Sequence, residues 1–422
     1  RSTGRRYAAW PRKADSTARG SSMVPAWSLY WMPIVAAKSM PLIRCWASYA
    51  SSPGSGNSLN DNFTMHSSIS NVRLAGLAVS TGSLTRDFMA DGLALGHDRV
   101  MLERTAQTIG LRQRKVAAPG ITALDLCEDA ARRLLDAAGL DTSSIDAVIF
   151  VTQTPDHSQP NNASLLHGRL GLATGAAAFD LSLGCSGWVY GLQQAALLCA
   201  HGGAARVLLC AGDTLSRLTH AKDRATDPLF GDAGSAALIE RTGMAAAWHF
   251  ELGADGAGAN AIIVPQGGAR MPHDSKPLTE IPDLDGNVRH AANLAMQGGE
   301  VFNFSLRQAP PAVAAVMRHA HYTVEATDGL ILHQANRFVV TTVGRKCGFP
   351  AEKTPSDVVE HYGNQSSASI PCALIHAFTE PLSAHSLRLV LCGFGVGWSW
   401  GAVAAEFGPL VIAPIQPYPH SA

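Results

Sequence analysis

Apolar residues come in short unbroken runs from Val72 onward, separated by stretches whose apolar positions recur at helical spacing. Residues 69–80 read as a short strand and turn. Thr122-Ala-Leu-Asp125 sets a hydroxyl at a helix start with a carboxylate three residues on, a capping arrangement with Asp in place of the usual Glu or Gln. The helix it opens carries Leu126, Ala130, Leu134 and Leu135 near one face, and Gly139 closes it. Ala147-Val-Ile-Phe-Val-Thr152 shows no polar alternation, which predicts a buried strand, and a helix over residues 162–170 follows. Next come an apolar run that breaks at Gly184, a helix through Ala200, and the strand Arg206-Val-Leu-Leu-Cys210. Continuous apolar strands alternating with helices predict an α/β protein with a parallel-rich sheet covered on both faces.

The second half repeats this grammar weakly. Gly329-Leu-Ile-Leu-His333 is similar to Ala147–Val151, Leu387-Arg-Leu-Val-Leu-Cys392 to Arg206-Val-Leu-Leu-Cys210, and Trp400-Gly-Ala-Val-Ala-Ala-Glu406 to Gly234-Ser-Ala-Ala-Leu-Ile-Glu240. Periodicity alone supports α/β and no finer architecture.

Composition narrows the function. A chain of 422 residues, 46% hydrophobic and 16% charged, can bury a large core, expected here as two similar halves. With 33 basic and 33 acidic residues the formal charge is zero, which argues against broad attraction to nucleic acid or an anionic membrane. No apolar run is long enough for a membrane span. The eight cysteines lack CxxC or other metal-like spacing, which argues against a cysteine zinc site and a disulfide scaffold and points to a reducing cytoplasm.

Residues 1–64 differ from the rest. They are rich in Arg, Ser, Pro and Trp and show no sustained period, and Ser51-Ser-Pro-Gly-Ser-Gly-Asn-Ser58 reads as a flexible linker. An Arg-rich, acid-poor start ahead of residues 23–45 has features of a targeting segment, but Pro25, Pro33, Lys38, Pro41 and Arg44 interrupt the apolar stretch. The expectation is sequence upstream of a start at Met65, or a disordered extension.

Candidate chemistry begins at Phe179-Asp-Leu-Ser-Leu-Gly-Cys-Ser-Gly-Trp-Val-Tyr-Gly-Leu192, which aims the Cys185 thiol at a helix N-terminus. Unpaired N–H groups and the helix dipole favour a thiolate there, and a thiolate is a strong nucleophile. A buried cysteine beside Gly and Ser is also ordinary packing, so the reading needs partners. His333 ends the run Gly329-Leu-Ile-Leu-His-Gln-Ala-Asn336, and Asn364 lies in the small-residue turn His361-Tyr-Gly-Asn-Gln-Ser-Ser-Ala-Ser-Ile-Pro371. Cysteine with a distant His and Asn is a known nucleophilic constellation.

These three words closely resemble those of the β-ketoacyl-ACP synthase III family of the thiolase superfamily, in the family's order from about Asn71 to Phe407. Phe230-Gly-Asp-Ala-Gly-Ser-Ala-Ala237, Gly298-Gly-Glu-Val-Phe302 and Gly393-Phe-Gly-Val-Gly-Trp-Ser-Trp-Gly401 match as well. The resemblance implies a five-layer αβαβα fold of two duplicated βαβαβαββ halves, residues 65–240 with the cysteine and 241–422 with His and Asn. It also implies a homodimer.

The implied reaction starts with attack of Cys185 on an acyl thioester. Backbone N–H groups of Cys185 and Val396 would form the oxyanion hole. Val396 stands where the family commonly has Gly, which implies a narrower or reshaped tunnel. A malonyl thioester would then lose CO₂, with His333 Nε2 and the Asn364 amide as neutral donors to the thioester oxygen. The carbanion attacks acyl-Cys185 and gives a β-ketoacyl thioester. Cys392 precedes the glycine turn and is read as packing, not as a thiolase-type second cysteine.

Binding residues implied by the resemblance are Arg224, Gly298, Asn336 and Phe394, with Arg104 and Thr108 nearest to positions that contact the nucleotide of coenzyme A. Gln159, followed by Pro160, falls where a partner subunit would reach into the acyl pocket, and its polarity implies a longer or more polar acyl chain. Arg337, Arg345 and Lys346 offer a basic patch for acidic acyl carrier protein. Expected substrates are acyl-CoA or acyl-ACP and malonyl-ACP, with no cofactor or metal. The alternative is transfer of the acyl group from Cys185 to an alcohol or amine without decarboxylation.

Overall fold

A computed structural model of the chain describes residues 65–243, 246–273, 278–284 and 286–419. Residues 1–64, with their expected linker, lie outside that set. Two sheets carry the fold. Five strands run in the order Met65–Ile69, Trp248–Ala254, Ser399–Phe407, Leu387–Gly395 and Gly329–Leu332. Six run in the order Val411–Pro417, Val72–Thr81, Ala233–Arg241, Arg206–Asp213, Ala147–Val151 and Ala177–Leu181.

The duplication is visible in strand direction. Ala147–Val151 is parallel to Arg206–Asp213, which is antiparallel to Ala233–Arg241, which is antiparallel to Val72–Thr81. In the other sheet Gly329–Leu332, Leu387–Gly395, Ser399–Phe407 and Trp248–Ala254 repeat the same three relationships in the same order. Among the described residues the second half has no counterpart of Ala177–Leu181. Its chain carries Pro350 and Pro355 in that stretch, and proline lacks the N–H a ladder needs.

Burial defines five layers. The helices Gly187–Ala200 and Ser369–Ala384 lie between the sheets, packing Trp188, Leu192 and Leu374 with Leu77, Val151, Phe250 and Leu391 in one core. Ala123–Ala138 and Asn162–Leu170 cover the outer face of the six-stranded sheet through Leu134, Leu166, Phe150 and Leu208. Gly298–Ala320 and Arg337–Lys346 cover the outer face of the other through Phe304, Val316, Val340 and Leu332. The thiolase-type αβαβα arrangement is therefore present. Thr122 and Asp125 make both halves of the expected capping box, and Gly139 closes the helix in the left-handed conformation.

The sheets exchange their outermost strands. Met65–Ile69 pairs with Trp248–Ala254 in the sheet otherwise built after residue 240, and Val411–Pro417 pairs with Val72–Thr81 in the sheet built before it. The two central helices begin beside each other's sheets, and their N-terminal ends carry the candidate site.

Candidate active site

Cys185 follows the strand Ala177–Leu181 and immediately precedes the helix Gly187–Ala200. The Gly187 N–H donates to the Gly184 carbonyl at 2.7 Å, closing the turn that presents the thiol. The strand ending at Gly395 runs directly behind it. A Cβ on Gly395 would lie 2.9 Å from Cys185 Sγ and 2.8 Å from its Cβ, so a side chain there would displace the thiol.

The helix-end position predicted for Cys185 is present, but the resting thiolate is not. Burial pushes the thiol up to about 12, with Asp213 adding in the same direction. The Ser366 hydroxyl and the backbone groups of Cys185 and Val396 pull the other way without overcoming burial. Ser366 Oγ lies 3.9 Å from Sγ.

His333 continues the strand Gly329–Leu332, its N–H donating to the Cys392 carbonyl at 2.8 Å. The ring is buried, and desolvation pulls its pKa down to about 3, so it is a neutral imidazole at physiological pH. Nδ1 lies 2.7 Å from Ser369 Oγ, and the Gln334 N–H donates to that same oxygen at 3.4 Å. A neutral imidazole carries one ring proton, and with that proton on Nε2 the other nitrogen, Nδ1, would accept the Ser369 hydroxyl. Phe394 packs edge-on to the ring at 5.8 Å between centroids.

Asn364 is held by backbone on both sides. Its N–H donates to the Leu229 carbonyl at 2.8 Å, and its carbonyl accepts the Gly231 N–H at 3.0 Å. A Cβ on Gly231 would collide with the Tyr362 carbonyl, which explains glycine in the Phe230-Gly-Asp word. The Ser366 N–H donates to Asn364 Oδ1 at 2.9 Å, leaving the amide N–H₂ as the free end.

Cys185, His333 and Asn364 line one cavity, together with Gly298, Asn336 and Phe394. Asn336 also caps the helix Arg337–Lys346, accepting the Val339 N–H at 2.9 Å. A second cavity shares Met296 and Gly298 with the first, and a third shares Ala225 and Asn287 with the second and is lined by Arg224. The three lie side by side, each sharing lining residues with the next. A separate cleft is lined by Gln153, Leu215, Leu294 and Val396, with Val396 in the turn beyond Gly395.

Other predicted residues stand apart. Arg104 and Thr108 are on the exposed side of the helix Arg99–Ile109, and neither lines the Arg224 cavity. Met101, Thr105 and Ile109 do, because helical spacing brings those three to one face. Gln159 is exposed in the loop after Ala147–Val151 and does not line the Cys185 cavity. Arg337 is half-buried and ion-paired with Glu360. Arg345 and Lys346 are exposed, the Lys346 ammonium donating to the Leu306 carbonyl at 2.8 Å. Cys392 is buried in the outer core.

Sequence reasoning gave no role to Ser366, Ser369 or Asp213. The two serines lie inside the word that identified Asn364, where small polar residues at a helix start read as caps. Asp213 is fully buried and accepts hydrogen bonds from the Gln153 N–H at 2.7 Å and the Ser367 hydroxyl at 2.7 Å. It ties the Asn364 turn to the six-stranded sheet. Nothing in its strand distinguished it beforehand.

The profile of the 3-oxoacyl-[acyl-carrier-protein] synthase III family matches residues 179–256, and that of the family's C-terminal part matches residues 317–407. The β-ketoacyl-[acyl-carrier-protein] synthase III 3 of Streptomyces coelicolor is 37% identical over 315 residues, covering 72% of this chain and 90% of that one. The chain belongs to the β-ketoacyl-ACP synthase III family. A β-ketoacyl-ACP synthase III of Symbiobacterium thermophilum is 38% identical over 303 residues, covering 71% of this chain and 88% of that one. Among solved structures, the 3-oxoacyl-(acyl-carrier protein) synthase of Burkholderia xenovorans superposes with a TM-score of 0.77 at 35% identity, covering 84% of this chain and 99% of that one. As a β-ketoacyl-ACP synthase III family member, the chain is a condensing synthase.

Proposed function

We propose that this synthase transfers an acyl group from a thioester to Cys185 and then condenses it with malonyl-ACP, releasing CO₂ and a β-ketoacyl thioester. The observation that carries this reading is the convergence of Cys185, His333 and Asn364 on one cavity, with a neutral imidazole and an amide whose oxygen is already engaged by the Ser366 N–H. Two neutral donors suit charge that develops on a thioester oxygen, because neither is consumed by the step. The buried thiol is acylated as substrate enters, its proton leaving with the departing thiol. Backbone N–H groups of Cys185 and Val396 hold the tetrahedral oxygen.

The phosphopantetheine arm follows the route past Arg224, Asn287 and Gly298, and the acyl chain extends into the cleft beside Val396 and Gln153. Arg345 and Lys346 with Arg337 dock acidic carrier protein. The exposed edge of Ala177–Leu181 suits pairing with a second copy, which would bring Gln159 to the neighbouring acyl cleft. No metal or organic cofactor enters these steps. Among the described residues no helix is long and apolar enough to cross a membrane. A working thiol places the enzyme in the reducing cytoplasm.

Intact-protein mass spectrometry after incubation with an acyl-thioester panel, then malonyl-ACP, tests the reading. The expected result is an adduct absent from Cys185→Ala that clears with CO₂ release. An adduct that clears only with an alcohol or amine, without CO₂, would overturn it.

A further inference from the structure

Away from this site, three ligand-bearing side chains meet on the outer face of the five-stranded sheet. His66 and Glu251 are direct cross-strand partners on Met65–Ile69 and Trp248–Ala254. Alternation along these strands sends Ile69, Trp248 and Phe250 inward to the core and leaves His66 and Glu251 on the opposite face. His319, in the last turn of the helix Gly298–Ala320, stacks on His66 with ring centroids 3.6 Å apart. One donor atom from each of His66, Glu251 and His319 lies within 4.8 Å of the other two.

A neighbouring hydroxyl orients the His66 ring. Ser68 Oγ lies 2.9 Å from His249 Nδ1 and 3.3 Å from His66 Nε2. This occupies the outer nitrogen of His66 and turns Nδ1 towards the Glu251 carboxylate at 3.6 Å, too far for a hydrogen bond. The Glu251 side chain is buried, yet among the described residues no hydrogen bond reaches its carboxylate.

We propose that His66, Glu251 and His319 form a binding site for a borderline divalent transition-metal cation, with zinc as the representative ion. Two imidazoles and one carboxylate are a known zinc donor set, with metal–ligand distances of about 2.0–2.2 Å and a fourth position left for water. Ser68 fixes the ring of His66 from behind, as a partner of a ligating histidine does. The ion would pin the edge strand Met65–Ile69 to the end of the outer helix. A second group, Asp357, His361 and His376, is less suited because His376 Nε2 already bonds Asp357 Oδ2 at 3.2 Å.

The test is equilibrium dialysis of the full-length protein against zinc, in a Cys185→Ser background that removes the reactive thiol. Metal content and thermal midpoint are read together. One equivalent of zinc is expected, with a rise in the midpoint that chelator reverses. Glu251→Gln and His319→Ala should each abolish that equivalent, while Ser68→Ala weakens it by about tenfold. His376→Ala should leave it intact. Circular dichroism of each variant establishes that the fold is retained, and cobalt(II) absorption reports ligand geometry independently. No bound zinc, zinc retained by folded His319→Ala, or zinc lost from His376→Ala would each overturn the assignment.

Discussion

The Ser369 hydroxyl lies 2.7 Å from His333 Nδ1, so a residue at the start of a central helix holds the imidazole by hydrogen bonding to its inner nitrogen. Ser369→Ala removes that hydrogen bond while leaving the ring in its buried setting. Loss of one buried hydrogen bond costs about 1–2 kcal/mol, which slows decarboxylation of malonyl-ACP by about 5- to 30-fold. Acyl transfer to Cys185 should be unaffected. Measuring the two half-reactions separately checks this, and equal losses in both would refute the positioning role.

Asn364→Asp replaces the amide donor with an acceptor at nearly constant shape. Decarboxylation is expected to fall by about 10²- to 10³-fold, the size of a lost oxyanion donor. Acyl-enzyme formation persists, visible as an unchanged mass adduct. A variant that still releases CO₂ at the parental rate would remove Asn364 from the reaction.

Burial holds the Cys185 thiol pKa near 12 in the free enzyme. A raised thiol pKa disfavours the anion at every lower pH, so the thiolate fraction rises about tenfold per pH unit between pH 7 and 9. The rate of Cys185 alkylation by iodoacetamide should follow that slope without levelling off. A plateau near neutral pH would show a stabilised resting thiolate. His333, with its pKa near 3, contributes no inflection over the same interval.

Gly395→Ala tests the contact behind the nucleophile. The added methyl meets Cys185 Sγ and Cβ, both under 3.0 Å away. Accommodating it costs about 1–3 kcal/mol of stability. Acylation should be lost in protein that still shows a cooperative thermal transition.

Asp213→Ala strands the Gln153 N–H and the Ser367 hydroxyl in a buried setting. The expected destabilisation is about 2–4 kcal/mol, measured by urea unfolding. Decarboxylation should decline with it, because Ser367 is three residues from Asn364.

Much of this architecture was legible in sequence. Continuous apolar strands and the Thr122–Asp125 cap marked element type and helix ends because both depend on local chemistry. Cys185, His333 and Asn364 were legible because each sits in a distinctive word where a strand or turn meets a helix. The charge state of Cys185 was not. A helix end favours the thiolate, but the cost of burying it depends on how tightly distant segments such as Gly393–Gly395 close over the sulfur. That Met101, Thr105 and Ile109 line the Arg224 cavity, and Arg104 and Thr108 do not, was hidden for a simpler reason: proximity along the chain does not reveal which side of a helix faces inward. Ser369 and Asp213 act through partners remote in sequence, and no local pattern reports those.

The exchanged outer strands impose an order on assembly. Val72–Thr81 cannot acquire its outer neighbour until the chain through Pro417 has been made, although the rest of that sheet comes from residues before 242. During synthesis the nucleophile-bearing half therefore waits with its Val72–Thr81 edge unpaired, a surface prone to mispairing with other chains. Interrupting translation shortly before residue 411 would release a polypeptide that carries all three reactive side chains yet lacks the strand that closes its first sheet.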